Sequence, residues 1–198
     1  MTVVPLPNGD LVVHSPVALT EERRREVDAL GRVAHVVAPN AFHHLFAAEW
    51  AAAYPDATVH APVQLEKKRP DLRIDRLLSD APPPEWAGAL EPLALNGTML
   101  HETVLVHTPS RTLISSDLVE NQQTVDHFPT RLYLQLSGAY RRVAWPGPLR
   151  IAYRDKKAAR RSIDELLERD FDRAVVAHGD VIDAGAKDAI RAALEWVR

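Results

Sequence analysis

The chain opens with two short apolar runs separated by a turn. Residues 3–6 and 11–14 are largely apolar, and Asn8 and Gly9 lie between them. An Asn-Gly pair between apolar runs predicts a β-hairpin, because both residues tolerate a positive φ. The sequence therefore predicts a two-stranded hairpin at the start of the chain.

Strand and helix patterns alternate along the rest of the chain. β-Branched runs predict strands, and apolar residues at helical spacing predict helices. The predicted strands are residues 33–37, 58–60, 103–106, 112–115 and 173–177, and the predicted helices are residues 20–31, 41–54, 128–140, 156–168 and 184–197. The charged, proline-rich stretch 66–86 is predicted to be a surface connection with one short helix. This order predicts an α/β layered fold with mixed sheets, in a single domain over residues 1–198.

The composition narrows the possible functions. The chain has no cysteine, which excludes disulfides, thiolate metal ligands and cysteine catalysis. Its net charge of −3 does not favour nucleic acid or an anionic membrane as a partner. No apolar run reaches the roughly 18 residues of a membrane span, and the first residues lack a signal-peptide pattern. We therefore expect a cytoplasmic protein that binds a small molecule, and nothing in the sequence indicates its oligomeric state.

Imidazole and carboxylate side chains follow several predicted strands. His43 and His44 come after the strand at 33–37, Asp117 follows the second hairpin, and His178 follows the last strand. Open α/β sheets bind ligands at the carboxyl ends of their strands. Imidazole and carboxylate are the ligands that a divalent metal ion uses when no thiolate is available. These residues therefore predict a metal site.

Helix geometry limits how the two adjacent histidines can act. His43 and His44 fall in the first turn of the predicted helix 41–54, for which Asn40 is the expected N-cap. The positive end of the helix dipole favours a neutral imidazole there, as metal binding requires. Neighbouring helical side chains point about 100° apart, so both can bind one ion only at the tip of the helix.

The second predicted hairpin allows a register argument. If its turn centres on Pro109 and Ser110, facing residue numbers sum to about 219. His101 then lies beside Asp117 or Leu118 at one end of the hairpin, and His107 lies at the far end. His101 is therefore a further candidate ligand.

Other features have ordinary structural interpretations. A histidine after a strand also serves as a capping group, and His14, His35, His60 and His127 are expected to be ordinary histidines. Ser115 and Ser116 are not expected to supply a nucleophile, because the Gly-x-Ser-x-Gly elbow is missing. The basic residues of the helix 156–168 have the acidic neighbours Asp155, Asp164 and Glu165, which is typical of a solvated face. No glycine-rich phosphate loop supports nucleotide binding.

These residues together resemble the metallo-β-lactamase-fold superfamily. That superfamily has a first hairpin, then a strand leading into His-x-His-x-Asp-His at the start of a helix. An isolated His, an Asp at the end of the next strand, and a Gly-His-Gly-like segment follow. The corresponding segments here are residues 39–44, His101, residues 112–117 and residues 176–179. The match covers nearly the whole chain and is most similar to a branch described as a domain of unknown function. It implies a four-layer αββα sandwich with a metal site at one edge.

The resemblance also implies which ligands this chain retains. The two histidines of His-x-His fall on Pro39 and Ala41, which bind no metal, and the Asp of the motif falls on His43. One of the two metal positions of the superfamily is therefore expected to be lost. The other implies one divalent ion, with Zn²⁺ as the first choice and Mn²⁺ or Fe as alternatives. Its expected ligands are His43, His44, Asp117 and His178, with His101 as a further candidate.

Two functions follow from this resemblance. The first is a metal-dependent hydrolase, in which water activated on the ion attacks an ester, thioester, amide or phosphoester and Asp117 orients that water. The second is a protein that keeps the fold without metal or catalysis, as a small-molecule-binding or protein-interaction module. Pro39 and Ala41 favour the second function, and the remaining histidines and Asp117 favour the first.

Overall fold

The computed structural model describes residues 1–197, which form strands and helices in alternation. The strands are β1 (Thr2–Pro5), β2 (Asp10–His14), β3 (Arg32–Val37), β4 (Thr58–Ala61), β5 (Arg76–Leu77), β6 (Leu90–Ala94), β7 (Thr103–His107), β8 (Thr112–Ile114), β9 (Glu120–Asn121), β10 (Val143–Ala144) and β11 (Arg173–Val175). The α-helices are α1 (Glu21–Asp28), α2 (Ala47–Ala53), α3 (Gln64–Lys68), α4 (Phe128–Leu136), α5 (Lys156–Glu168) and α6 (Ala186–Ala193). Short 3₁₀ helices span Pro84–Trp86 and Gly147–Ala152.

The N-terminal sheet contains β1 to β5 in sequence order. The predicted hairpin is confirmed: β1 and β2 are antiparallel, and Gly9 in the turn has a φ of 86°. β3, β4 and β5 add in parallel, so the sheet is mixed. Val27 of α1, Trp50 of α2 and Leu65 of α3 share one hydrophobic core with the strands. These helices therefore cover one face of the N-terminal sheet.

The C-terminal sheet has the strand order β11-β8-β7-β6. β7 and β8 form the second predicted hairpin, in which Leu105 faces Ile114 and His107 faces Thr112. This is the predicted register. β11 then pairs in parallel with β8, which makes this sheet mixed as well. Ile163 of α5 and Ile190 of α6 belong to its core, so these helices cover its outer face.

A separate core joins the inner faces of the two sheets. Val12 and Val37 of the N-terminal sheet pack with Leu105 and Ile114 of the C-terminal sheet, and the fully buried Trp86 completes the cluster. Helices lie outside each sheet, so the layer order is helix, sheet, sheet, helix. The four-layer αββα sandwich with mixed sheets is confirmed.

Several predicted helix boundaries are wrong. The helix predicted at 41–54 begins only at Ala47, because the side-chain oxygen of Asn40 accepts the backbone N–H groups of Phe42 and His43 and holds residues 40–46 as turns. The last helix, predicted at 184–197, covers Ala186–Ala193, and the helix predicted at 128–140 ends at Leu136. No helix within residues 1–197 combines the length and apolar character needed to cross a bilayer.

Candidate metal centre

Three side chains from distant parts of the chain converge at one edge of the sandwich. His43 Nε2 lies 3.2 Å from Asp117 Oδ1, and His178 Nε2 lies 3.0 Å from the same oxygen. The two imidazole Nε2 atoms are 3.3 Å apart. Three potential ligand atoms are therefore close together in space, although His43 and His178 are 135 positions apart in the sequence.

The sheet topology delivers these side chains to the same edge. β8 and β11 are parallel, so Asp117 and His178, which follow them, emerge at the same end of the C-terminal sheet. The backbone N–H of Asn121 donates to the carbonyl of His178 and fixes the segment after β11. His43 lies in the turn after β3, and Asn40 in this turn donates to Asp117 Oδ2 at 2.7 Å. The turn after the N-terminal sheet is thereby attached to the C-terminal sheet.

The spacing of the three atoms fits a tetrahedral metal ion. Zinc binds imidazole nitrogen and carboxylate oxygen at about 2.0–2.2 Å, which places adjacent ligand atoms about 3.3–3.6 Å apart in a tetrahedron. The observed separations of 3.0, 3.2 and 3.3 Å are close to those of one tetrahedral face. Among residues 1–197 the structure shows one group of three or more such side chains, formed by His43, Asp117 and His178. The donor set therefore fits one divalent ion with a position left for water.

Neighbouring polar groups orient two of these ligands. Ser15 Oγ lies 2.8 Å from His43 Nδ1 and can accept an N–H there, which is the arrangement that leaves Nε2 free to bind an ion. Asn40 donates to Oδ2 of Asp117, the carboxylate oxygen that does not face the two histidines. These contacts orient the ring of His43 and the carboxylate of Asp117.

A buried carboxylate supports the backbone that carries Asp117. Glu102 is 1% exposed, and its carboxylate accepts the backbone N–H groups of Ser116 at 2.6 Å and of Asp117 at 3.0 Å. Burial, and after it the nearby charge of Asp117, raises the pKa of Glu102 to about 7 against the opposing effect of the hydrogen bonds from Ser116 and Asp117. Glu102 therefore fixes the loop after β8 without facing His43 or His178.

The site favours a negative Asp117 and a positive His178. Burial alone would raise the pKa of Asp117, but hydrogen bonds from His178, His43 and Asn40 together with the charge on His43 hold it well below its usual range. The hydrogen bond to Asp117 raises the pKa of His178 against the opposing effect of burial. A proton and a metal ion therefore compete for His178, and binding an ion there releases a proton.

His44 lies outside this group, contrary to the expectation that it would be a ligand. It is buried, and its Nδ1 accepts a hydrogen bond from the guanidinium of Arg69 at 2.8 Å. Burial and the charges of Lys68 and Arg69 lower the pKa of His44. Because residues 40–46 form turns rather than a helix, the two adjacent imidazoles are not held at a helix tip, and His44 instead connects this turn to the end of α3.

His101 also lies outside the group. It is exposed, has a φ of 53° and lines a separate pocket together with Arg154. β7 begins only at Thr103, so the register of the hairpin does not extend to His101. The carboxylate that meets the backbone of Asp117 belongs to Glu102, whose number with 117 sums to 219. The register rule therefore contained the signal for Glu102, whereas nothing in the sequence pointed to Ser15.

A pocket of about 600 Å³ opens beside the three side chains. His43, Asp117 and His178 contribute to its lining, and aromatic and aliphatic side chains form most of the rest. Volumes of 300–1,000 Å³ are typical of small-molecule sites. An ion held by the three side chains would thus be accessible to a ligand of moderate size.

Comparisons with known proteins agree with this architecture. Residues 1–69 match the model of a family described as a domain of unknown function, DUF4336. No curated protein matches the chain. The chain has the metallo-β-lactamase fold over nearly its whole length.

Solved structures carry the evidence for this fold. The DIM-1 metallo-β-lactamase superposes with a TM-score of 0.64 at 14% identity, covering 99% of this chain and 86% of that chain. A metallo-β-lactamase from Pontibacter korlensis superposes with a TM-score of 0.63 at 16% identity, covering 98% of this chain and 85% of that chain. The chemotaxis sensor ODP, solved as a peroxy diiron species, superposes with a TM-score of 0.58 at 13% identity, covering 96% of this chain and 82% of that chain. At these identities the likeness establishes the fold alone.

Proposed function

We propose that this protein is a metal-dependent hydrolase that uses one divalent ion held by His43, Asp117 and His178. The observation that carries the proposal is the meeting of three ligand atoms within 3.3 Å of one another at the wall of a pocket. Catalytic zinc sites combine three protein ligands with an open position, whereas structural sites are closed by four. The similarity to metallo-β-lactamase structures supports the same class of reaction.

The residues of the chain have distinct tasks in such a reaction. When bound, a divalent ion supplies Lewis acidity, which lowers the pKa of water toward about 7. Asp117 uses Oδ1 toward the two histidines, while Asn40 holds Oδ2. Each carboxylate oxygen has two lone pairs, so Asp117 can also accept a hydrogen of the attacking water and orient it. The oxygen of water adds to the acyl carbon or phosphorus, the bond to the leaving group breaks, and the leaving group takes a proton.

Metal content tests this proposal directly. Protein purified without a histidine tag is expected to hold about one equivalent of zinc and to hydrolyse an activated ester such as p-nitrophenyl acetate. His178→Ala is expected to lose both, because His43 and Asp117 alone complete only half of a tetrahedral set. Elemental analysis and the release of p-nitrophenol measure the two properties.

His101→Asn is the matched control for the metal analysis. His101 is exposed and outside the group, and asparagine tolerates its φ of 53°. This variant should retain the metal and the activity. A parent protein without metal after reconstitution with Zn²⁺, Mn²⁺ or Fe²⁺ would exclude the hydrolase. It would support the alternative of a metal-free binding module, which Pro39 and Ala41 favour because neither has a metal-binding group.

Ser15 is expected to act through His43. Ser15→Ala removes the hydroxyl 2.8 Å from Nδ1 and leaves the imidazole ring without this orienting contact. Loss of such an outer contact typically weakens metal affinity by about 10–100-fold. Competition with a chromophoric chelator measures this change in the dissociation constant for zinc.

Ser110→Ala is the control for Ser15→Ala. Ser110 Oγ contacts His107 Nδ1 at 2.7 Å, which is the same kind of pair in the exposed turn of the second hairpin. Its removal should leave zinc affinity as in the parent. Equal zinc affinities for Ser15→Ala and the parent would show that Ser15 does not position His43 for metal binding.

A further inference from the structure

The pocket beside the metal centre is lined mainly by large apolar side chains. Phe42, Leu45 and Phe46 come from the turn between β3 and α2, and Leu100, Trp145 and Leu149 come from later segments of the chain. Four of the six remain exposed to solvent, and Leu45 is 68% exposed. A contiguous patch of exposed apolar side chains is typical of a binding site. The pocket thus offers an apolar surface to whatever occupies it.

The two carboxylates of the pocket wall outnumber its one imidazole with a raised pKa, that of His178, so the wall disfavours an anion. Asp117 and Glu120 contribute carboxylates to its wall, and no lysine or arginine side chain lines it among residues 1–197. Lys68 is nearby, but its Nζ lies over the ring of Phe42 and donates to the carbonyl of Ala41.

We propose that the substrate of this site is a neutral carboxylic acyl compound, such as an ester or thioester, whose acyl group is an apolar chain or ring. This inference rests on the proposed hydrolase and narrows its substrate class. The apolar walls bind the acyl group, and Glu120 disfavours phosphoesters and free acids by charge repulsion. At about 30 Å³ for each water-sized unit, the pocket holds on the order of 20 non-hydrogen atoms, which is enough for a medium-length chain and its carbonyl.

Binding of ketones tests the inference without requiring catalysis. The probes are octan-2-one, butan-2-one and octanoate, titrated by calorimetry at pH 8 into the full chain after removal of metal with a chelator. Each buried methylene strengthens binding severalfold, so octan-2-one is expected to bind at least about tenfold more tightly than butan-2-one. Octanoate has the same chain length with a negative charge, and we expect it to bind at least about tenfold more weakly than octan-2-one.

Variants locate the binding surface. Leu45→Ser is expected to weaken the binding of octan-2-one severalfold. Leu136→Ser is its control, because Leu136 is 81% exposed on α4 and does not line the pocket. Glu120→Gln is expected to raise the affinity for octanoate relative to that for octan-2-one, because it removes the negative charge that repels the carboxylate. Both leucines are largely exposed, so neither change should prevent folding.

The outcomes separate this inference from the proposed function. Equal affinities for octan-2-one and butan-2-one, a tighter complex with octanoate, or an equal effect of Leu45→Ser and Leu136→Ser would overturn the inference. If the zinc-loaded protein fails to hydrolyse p-nitrophenyl octanoate while the ketone binds as expected, the proposed hydrolase is overturned and the apolar ligand class stands. Faster hydrolysis of the octanoate than of the acetate ester supports both.

Discussion

Gly179→Ala is expected to lower the free energy of unfolding by about 3–5 kcal/mol and to abolish metal binding. Gly179 has a φ of 113°, and a Cβ there would lie 2.1 Å from the backbone oxygen of Asn121. That oxygen accepts the N–H of Asp180, and the N–H of Asn121 donates to the carbonyl of His178. The clash therefore falls on the backbone contacts that hold His178 at the site, and neither partner is a flexible side chain.

Thermal unfolding and zinc content measure these two effects. For a chain of this length about 1 kcal/mol shifts the melting temperature by about 2–4 °C, so Gly179→Ala should lower it by about 6–20 °C. Gly185→Ala is the matched control, because Gly185 also has a positive φ of 68° but a Cβ there meets nothing within 4 Å. It should cost about 1–2 kcal/mol of backbone strain and keep the zinc. Equal shifts for the two variants would show that the close approach to Asn121 does not hold His178.

The hairpin register was the most informative local prediction about the site. The turn rule placed Thr112 opposite His107 correctly, because a tight antiparallel turn determines which residues face each other. The same rule paired position 117 with position 102. The sequence argument considered imidazole at this end and selected His101, although the residue that contacts the loop is the carboxylate of Glu102. The position of Glu102 opposite Asp117 in the predicted register could therefore have identified it as a residue that supports the site.

The choice between His43 and His44 was not available from the sequence. It depends on where the helix after β3 begins, and the apolar periodicity of residues 41–54 does not reveal the turn that Asn40 stabilises. Asn40 is not the N-cap of α2 as predicted, because that position is Phe46, and its side chain caps the preceding turn instead. Its contact with Asp117 spans 77 positions and carries no local pattern. The stacking of two sheets was likewise implied by the family resemblance, since periodicity does not say which sheet faces which.

Three buried histidines outside the metal centre affect stability at low pH. His14, His35 and His60 are at most 5% exposed, and His35 Nδ1 lies 3.0 Å from His60 Nε2. Burial lowers the pKa of His14 to about 3 and that of His60 to about 3, and it lowers the pKa of His35 as well. The folded protein therefore keeps these imidazoles neutral at a pH where the unfolded chain protonates them.

This difference predicts unfolding in acid. Below about pH 6.5 each neutral histidine costs up to about 1.4 kcal/mol of stability per pH unit, until its folded pKa is reached. Glu102 opposes this between its ordinary pKa of 4.5 and about 7, because only its folded form binds a proton in that range. From pH 6.5 to 4.5 the effects of His14 and His60 are partly offset by that of Glu102, so the free energy of unfolding should fall by about 1.4 kcal/mol per pH unit. From pH 4.5 to 3 the two histidines act without this offset, and it should fall by about 2.7 kcal/mol per pH unit.

Urea unfolding of the metal-free protein at pH 7, 5.5, 4.5 and 3.5 measures this slope. Folded proteins are stable by about 5–15 kcal/mol, and at the lower end of that range, about 5–7 kcal/mol, these slopes place the midpoint of acid unfolding between about pH 3 and 3.7. His60→Asn should reduce the slope below pH 4.5 by about a third to a half, since it removes one of the three buried histidines that the unfolded chain protonates. His127→Asn is the control, because His127 is exposed at the start of α4, and it should leave the slope as in the parent. If His60→Asn and the parent lose stability at the same rate, the buried histidines are not the cause of acid unfolding.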